Sequence, residues 1–302
     1  MNDSNKLIKF SNSYKKLNIF SFLLIVFSLL ILLFKGLNFG VDFKGGTLIE
    51  IRTVDSVRIS DLRDAFVNMN LGDVTVKKFG KKNDYLVKIE KKSTDENFIS
   101  EINETLSSKV GSEVNFRRVE SVGPKVSNEL LKDGLLAITL SLAAMLFYIW
   151  IRFEWQFSLG AIIAIVHDVL ITLGMFSLLS YEINLSIVAA VLTIVGYSMN
   201  DTVVIFDRIR ENLKKYSKIS IGEISNISTN ETLSRTLITS VTTLLALSSI
   251  YIFGGAILKG FSFAMILGVI IGTYSSIFIA TPILNYTKVS QKTILKDDLE
   301  NN

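Results

Sequence analysis

Six stretches of the chain stay apolar for about eighteen residues or more, the length that crosses a hydrocarbon core of ~30 Å. They cover residues 17–34, 134–151, 157–181, 183–206, 236–258 and 260–286, and each predicts a membrane-spanning helix. Polar stretches separate them: a tail over 1–16, a long hydrophilic region over 35–133, a basic loop over 207–235 and a second tail over 287–302. The order is one span, a soluble domain, then five spans. The first apolar run has no small-residue cleavage pattern and reads as a retained helix.

Inside the hydrophilic region the periodicity changes several times. A β-rich run over 47–54 follows the Gly45-Gly46 turn. Ser60 is placed to cap an amphipathic helix to about Met69, with Leu62, Phe66 and Met69 on one face. Strands are expected over 73–79 and 85–90, joined by a turn over 80–84. A second helix opens at Ser93 or Thr94 and carries Phe98, Ile102 and Leu106 at four-residue steps, and a last strand over 113–122 closes at Gly123-Pro124. The order β-α-β-β-α-β predicts a ferredoxin-like split motif. The domain has no histidine, no acid pair at catalytic spacing and no phosphate loop, so binding or force coupling is expected of it rather than chemistry.

Composition narrows the picture further. With 49% hydrophobic residues and a mean hydropathy of +0.43, the chain is a polytopic membrane protein. A net charge of +4 gives no reason to expect nucleic acid. The absence of cysteine excludes disulfides, thiolate metal sites and cysteine nucleophiles, and one histidine argues against zinc. Fourteen Lys and Arg fall in the tails and loops of one side, against Lys259 alone in the short loops of the other. By the positive-inside rule both termini are cytoplasmic and the α/β domain is extracytoplasmic.

The chemistry lies in the spans. Asn200 and Asp201 interrupt the fourth apolar run, and a carboxylate in hydrocarbon costs roughly 2.5 kcal/mol or more. On a helical wheel Ser186, Ala190, Thr193, Tyr197, Asn200 and Asp201 share a stripe, which places the acid against protein rather than lipid. Asp201 lies about 9 Å above the exit marked by Asp207 and Arg208. On the fifth span Arg235, Thr239, Thr242, Ala246 and Ser249 share a face. Arg235 either pairs with Asp201 or anchors the span at the headgroups. His167 and Asp168 sit near the middle of the third span, as a proton pathway or as a polar clasp between helices. Gly260, Ala264, Gly268, Gly272 and Ser276 form a close-packing face on the sixth.

Three segments carry a family resemblance in register. Gly40-Val-Asp42-Phe-Lys-Gly45-Gly46 follows the first span, Ile165-Val-His167-Asp168 lies in the third, and the stretch 195–212, with Gly196, Asn200, Asp201, Thr202, Asp207 and Arg208, ends the fourth. The chain resembles the SecF family, the smaller membrane subunits of the SecDF protein-export complex, over nearly its whole length.

The resemblance implies half of a resistance-nodulation-division bundle in the bacterial cytoplasmic (inner) membrane, paired with a SecD-like subunit that supplies a further essential acid. It implies a role in late steps of protein export driven by proton or sodium motive force, with Asp201 as the coupling acid and Arg235 as its basic partner; Asn200 and Thr202 flank that acid. The expected partners are SecD, the SecYEG translocon, YidC and YajC, the translocating preprotein and membrane lipid. No cofactor beyond the coupling ion and no enzymatic activity is expected. Two rivals stay open: a small-molecule pump subunit of the same superfamily, and a scaffold or substrate receptor without ion coupling.

Overall fold

The structure is a computed structural model that describes residues 7–78, 83–90, 96–216, 218–291 and 293–294. Lys6, Phe79, the turn at Gly80, the helix opening at Ser93 or Thr94, and Lys292 lie outside the described residues. The chain divides into two compact units. A helical unit takes Met1–Asn38, Ala137–Tyr181 and Ser186–Asn302, and an α/β unit takes Phe39–Leu136 and Glu182–Leu185.

In the helical unit, α1 (Tyr14–Lys35) ends at Gly36, whose φ of +68° is open to glycine without strain. The two-residue strand β1 (Asn38–Phe39) leads into the α/β unit. There α2 (Val41–Lys44) precedes β2 (Gly46–Thr53), followed by α3 (Ile59–Val67), β3 (Val74–Lys78), β4 (Asp84–Ile89), α4 (Glu96–Val110) and β5 (Val114–Val122). The sheet is antiparallel in the order β3-β4-β2-β5. Alternation along β2 and β4 turns Ile49, Ile51, Tyr85, Val87 and Ile89 to one face, where Leu62 and Phe66 of α3 and Ile102 and Leu106 of α4 complete a core. Fully burying each aliphatic or aromatic side chain contributes roughly 1.5–3 kcal/mol. Register shifts between Glu50 and Ile51, so Arg117 bulges out of the edge strand β5.

One local expectation fails here. Ser60 does not cap α3: the helix starts one residue earlier, with Arg58 at the cap and no side-chain cap bond. The Ser60 hydroxyl bonds the Asp61 carboxylate instead, and Arg58 Nε donates to that same carboxylate at 3.0 Å.

The remaining helices are α5 (Pro124–Arg152), α6 (Trp155–Leu179), α7 (Leu185–Lys215), α8 (Ile221–Phe253), α9 (Gly255–Ser275) and α10 (Thr281–Tyr286). A π-helical turn, Ser276–Ala280, joins the last two, and strand β6 (Glu182–Ile183) lies between α6 and α7, paired with β1. Among the described residues, six helical stretches are long and apolar enough to cross a membrane. Several helices outrun their apolar runs. Pro124 suits the first turn of α5, where its missing N–H costs nothing. The expected loop over 207–235 is mostly helix, because α7 and α8 continue as amphipathic extensions and Ser220 caps α8 by accepting from Glu223 N–H.

Candidate functional site

The polar residues of the spans meet where α6, α7, α8 and α9 pack in the helical unit. Close approach of α9 to α7 comes from its glycines. A Cβ on Gly268 would lie 2.2 Å from Ile194 Cγ1, and one on Gly272 would lie 2.9 Å from Ser198 Cβ. The small-residue face of the sixth span therefore packs against α7.

That packing buries Asp201, which is 3% exposed. Its Oδ2 accepts from Thr273 Oγ1 of α9 at 3.5 Å, and Thr273 Oγ1 lies 2.8 Å from Ser240 Oγ of α8. The neighbouring Thr202 hydroxyl lies 2.9 Å from Ser276 Oγ at the start of the π turn. A π turn widens the helix locally and such turns recur at functional sites.

Asp168 forms a second buried centre. Its Oδ1 lies 2.8 Å from His167 Nδ1, and its Oδ2 accepts from Ser198 Oγ at 2.6 Å and Ser275 Oγ at 2.8 Å. One carboxylate thus ties α6 to α7 and α9. His167 Nε2 is buried with no hydrogen-bond partner among the described residues, and the ring stacks on Tyr274 at 6.1 Å. These bonds have the form of the polar clasp between helices.

The ion pair expected between Asp201 and Arg235 is not formed in this structure. Arg235 is exposed, and no ion pair of Arg235 occurs among the described residues. Nor is the α7 stripe buried as a unit. Ala190 and Asp201 are buried and Tyr197 half-buried, but Ser186, Thr193 and Asn200 are exposed; Gly196, outside the stripe, is exposed too. On α8 Arg235, Thr242, Ala246 and Ser249 are exposed as well. Of the stripe expected to pack against protein, this chain covers only the edge nearest α9.

At the Asp207 end the helices are joined by charge. Asp207 pairs with Arg152 of α5 at 2.7 Å. Arg208 bonds Glu211 at 2.6 Å and Glu231 of α8 at 2.7 Å, and Asn212 Nδ2 reaches Glu231 and Ser228. Buried Glu154 meets Arg210 at 3.0 Å. Exposed pairs contribute about 0–1 kcal/mol each, so their consequence is to fix α7 against α5 and α8 more than to stabilise them.

The glycine motif belongs to the α/β unit. Asp42 Oδ2 accepts from the backbone N–H of Leu185, the first residue of α7, at 3.0 Å, and Gly40 N–H donates to Ile183 O at 2.9 Å. Gly46 has φ +115°, and a Cβ there would lie 2.6 Å from Ile89 O. Gly45 is likewise in a positive-φ conformation, at +76°. Both positions require glycine.

Sequence reasoning missed Thr273, Ser240, Ser198 and Ser275, which hold the two acids, and Glu231, which holds Arg208. Single hydroxyls in apolar runs carry little signal until a neighbouring helix supplies their partner. Among the described residues no group of three His, Asp or Glu side chains is arranged to hold a metal ion.

The family described as "Protein export membrane protein SecD/SecF, C-terminal" matches residues 102–290, and the "SecD/SecF GG Motif" matches residues 30–57. The chain is 44% identical over 288 residues to "Protein translocase subunit SecF" of Cereibacter sphaeroides, covering 92% of this chain and 89% of that one. It is 45% identical over 277 residues to "Protein translocase subunit SecF" of Rickettsia bellii, covering 91% of each. Among solved structures it is similar to SecDF from Thermus thermophilus, with a TM-score of 0.86 and 33% identity over 95% of this chain and 40% of that one. SecDF in a super-membrane-facing form gives a TM-score of 0.70 and 31% identity over 100% and 41%. The chain spans about two-fifths of the length of those SecDF chains.

Proposed function

Because the chain belongs to the SecF family of protein translocase subunits, we propose that it acts in Sec-dependent protein export as the ion-driven partner of a SecD-like subunit. It is a multi-pass membrane protein. In this reading the membrane is the bacterial cytoplasmic one, both termini face the cytoplasm, and the α/β unit, ferredoxin-like in its strand order, faces the other side. SecYEG, YidC and YajC, the passing preprotein and lipid are its surroundings.

The observation that carries the coupling is Asp201: a carboxylate 3% exposed inside an apolar span, held through Oδ2 by the Thr273 hydroxyl. Such a group is costly unless it has work to do. The exposed polar faces of α7 and α8, with Asn200, Thr193, Arg235 and Thr242, are the seat for the SecD-like subunit. Asp201 lies at the buried edge of that seat. Loading a proton on Asp201 removes the charge to which the Thr273 hydroxyl donates, and unloading restores it, so each cycle alters how α7 meets α8, α9 and the partner. Sodium is the alternative ion. A proton crossing about 100 mV releases about 2.3 kcal/mol, enough to bias a two-state equilibrium about fiftyfold.

The test is export of a reporter precursor into vesicles that hold this chain and its SecD-like partner, with and without an ion gradient. Asp201→Asn is expected to insert and assemble normally and to lose the gradient's benefit. Equal stimulation of the variant and the wild type would make Asp201 a structural staple and leave the scaffold reading in place.

A further inference from the structure

A second row of hydroxyls runs along α8, about 100° round the helix from the Arg235 face. Ser225, Thr229, Thr232, Thr236 and Ser240 recur at steps of three and four residues, which puts them within one stripe about 80° wide. All five are at least nine-tenths buried: 0%, 1%, 9%, 2% and 5% exposed. At 1.5 Å per residue the row runs about 22 Å along the helix axis.

Serine and threonine in helices ordinarily turn back to bond a carbonyl one turn earlier. Within the row Thr232 does so, bonding Ser228 O, and off it Thr239 bonds Arg235 O, Thr242 bonds Ile238 O and Ser249 bonds Leu245 O. Ser225, Thr229 and Thr236 do not. Their hydroxyl oxygens are covered by protein and have no hydrogen-bond partner among the described residues. Asn285 Oδ1 of α10, 3.9 Å from where a Cβ on Gly222 would lie, is a further unpaired buried acceptor beside the first turn of α8. Buried polar groups are rarely left unpaired, and a run of them on one line needs a reason.

The far end of the row supplies it. Ser240 Oγ lies 2.8 Å from Thr273 Oγ1, and Thr273 Oγ1 lies 3.5 Å from Asp201 Oδ2. The row therefore runs from the Ser220-capped end of α8 to the carboxylate proposed as the coupling acid. We propose that Ser225, Thr229, Thr236 and Ser240 form a water-filled half-channel that connects the cytoplasmic side with Asp201, shut in the state described here. When α8 shifts on its neighbours, water completes the unpaired hydroxyls, and a proton released by Asp201 passes by Thr273 along that file to the cytoplasmic side. No covalent bond is made or broken other than O–H bonds exchanged between neighbouring oxygens. The shut state leaves hydroxyls unsatisfied and the open state costs packing, which is what makes the element bistable. The inference rests on the ion-coupled reading of Asp201 but is tested apart from it.

The chain contains no cysteine, so single cysteines report cleanly. In vesicles holding the full chain with its SecD-like partner, Thr229→Cys and Thr236→Cys are treated with silver ion or a small methanethiosulfonate, which attack a thiolate only where water reaches it. The control is Ser262→Cys on α9, fully buried and with its native hydroxyl bonded to Leu258 O. Both ladder cysteines are expected to react several-fold faster than the control; equal rates overturn the proposal. Thr229→Val and Thr236→Val keep the side-chain shape and guard against misfolding of the cysteine variants. Each is expected to bring the ratio of export with and without a gradient several-fold closer to one; an unchanged ratio overturns the conducting role. If the wild type itself shows no gradient effect, the ion-coupled reading fails, while the labelling contrast still decides whether the path exists.

Discussion

The Asp168 clasp makes a prediction whose size follows from its contacts. Replacing Asp168 with alanine strips the acceptor from Ser198, Ser275 and His167 at once. Two of these bonds cross between helices, to Ser198 of α7 and Ser275 of α9; interhelical hydrogen bonds in membranes average about 0.6 kcal/mol and reach about 1.7, so losing both costs about 1–3 kcal/mol. Asp168→Asn behaves differently. Its amide oxygen still accepts from the two serines, and its N–H₂ faces His167 Nδ1, which accepts once the ring proton moves to Nε2. That exchange swaps one unpaired group at Nε2 for another, so the cost stays near 1 kcal/mol. Unfolding in mixed micelles titrated with dodecyl sulfate, followed by Trp150 and Trp155 fluorescence, measures the difference. Export by the asparagine variant is expected to keep its gradient dependence. A variant that folds like the wild type but loses gradient dependence would show that Asp168 must ionise, and the clasp reasoning would fall. An alanine variant as stable as the wild type would refute the magnitude.

Other expectations follow from single contacts. Gly268→Val drives a methyl-bearing carbon into Ile194 and is expected to cost about 1–3 kcal/mol in the same unfolding assay, largely restored by adding Ile194→Ala. Asp42→Ala removes the acceptor for Leu185 N–H and costs about 1 kcal/mol, as loss of a helix cap does. Leu185→Pro removes the donor at a position where proline suits a helix, so its effect beyond Leu185→Ala should not add to Asp42→Ala; additive effects would disprove the contact. The Arg58 hydrogen bond holds the Asp61 carboxyl below its ordinary range. Asp61 therefore adds stability above its unfolded pKa and loses it as pH falls through the lower folded value. Arg58→Gln should raise the Asp61 titration midpoint in a carboxyl NMR titration, and an unmoved midpoint would rule out the bond as its cause.

Much of this protein was legible from one dimension. Apolar run length located the six spans, and period-two and period-3.6 patterns located the strands and helices of the α/β unit within a residue or two. The Ser60 cap was misplaced because a serine one residue inside a helix reads like a cap until the backbone shows where the turn begins. The acids at 168 and 201 stood out because hydrocarbon makes any carboxylate conspicuous. Their partners did not. Ser198, Thr273 and Ser275 are ordinary hydroxyls until a glycine face lets α9 approach α7. The α8 ladder was present in the spacing of 225, 229, 232, 236 and 240, but its hydroxyls carry less signal than the charge of Arg235 about 100° round the helix.

The solvent explains the division. Burial of apolar surface and satisfaction of backbone hydrogen bonds in lipid act along each helix separately, so residue pattern alone determined which segments span, which fold as α/β, and which residues lie too deep for decoration. Hydrogen-bond partners and ion pairs depend on which helix faces which, and on their separation to within a few tenths of an ångström. The glycine contacts at 268 and 272 set those separations. Only the tertiary structure could decide that Asp168 ties three helices, that Asp201 meets Thr273 instead of Arg235, and that three buried hydroxyls on α8 stand unpaired in line with it.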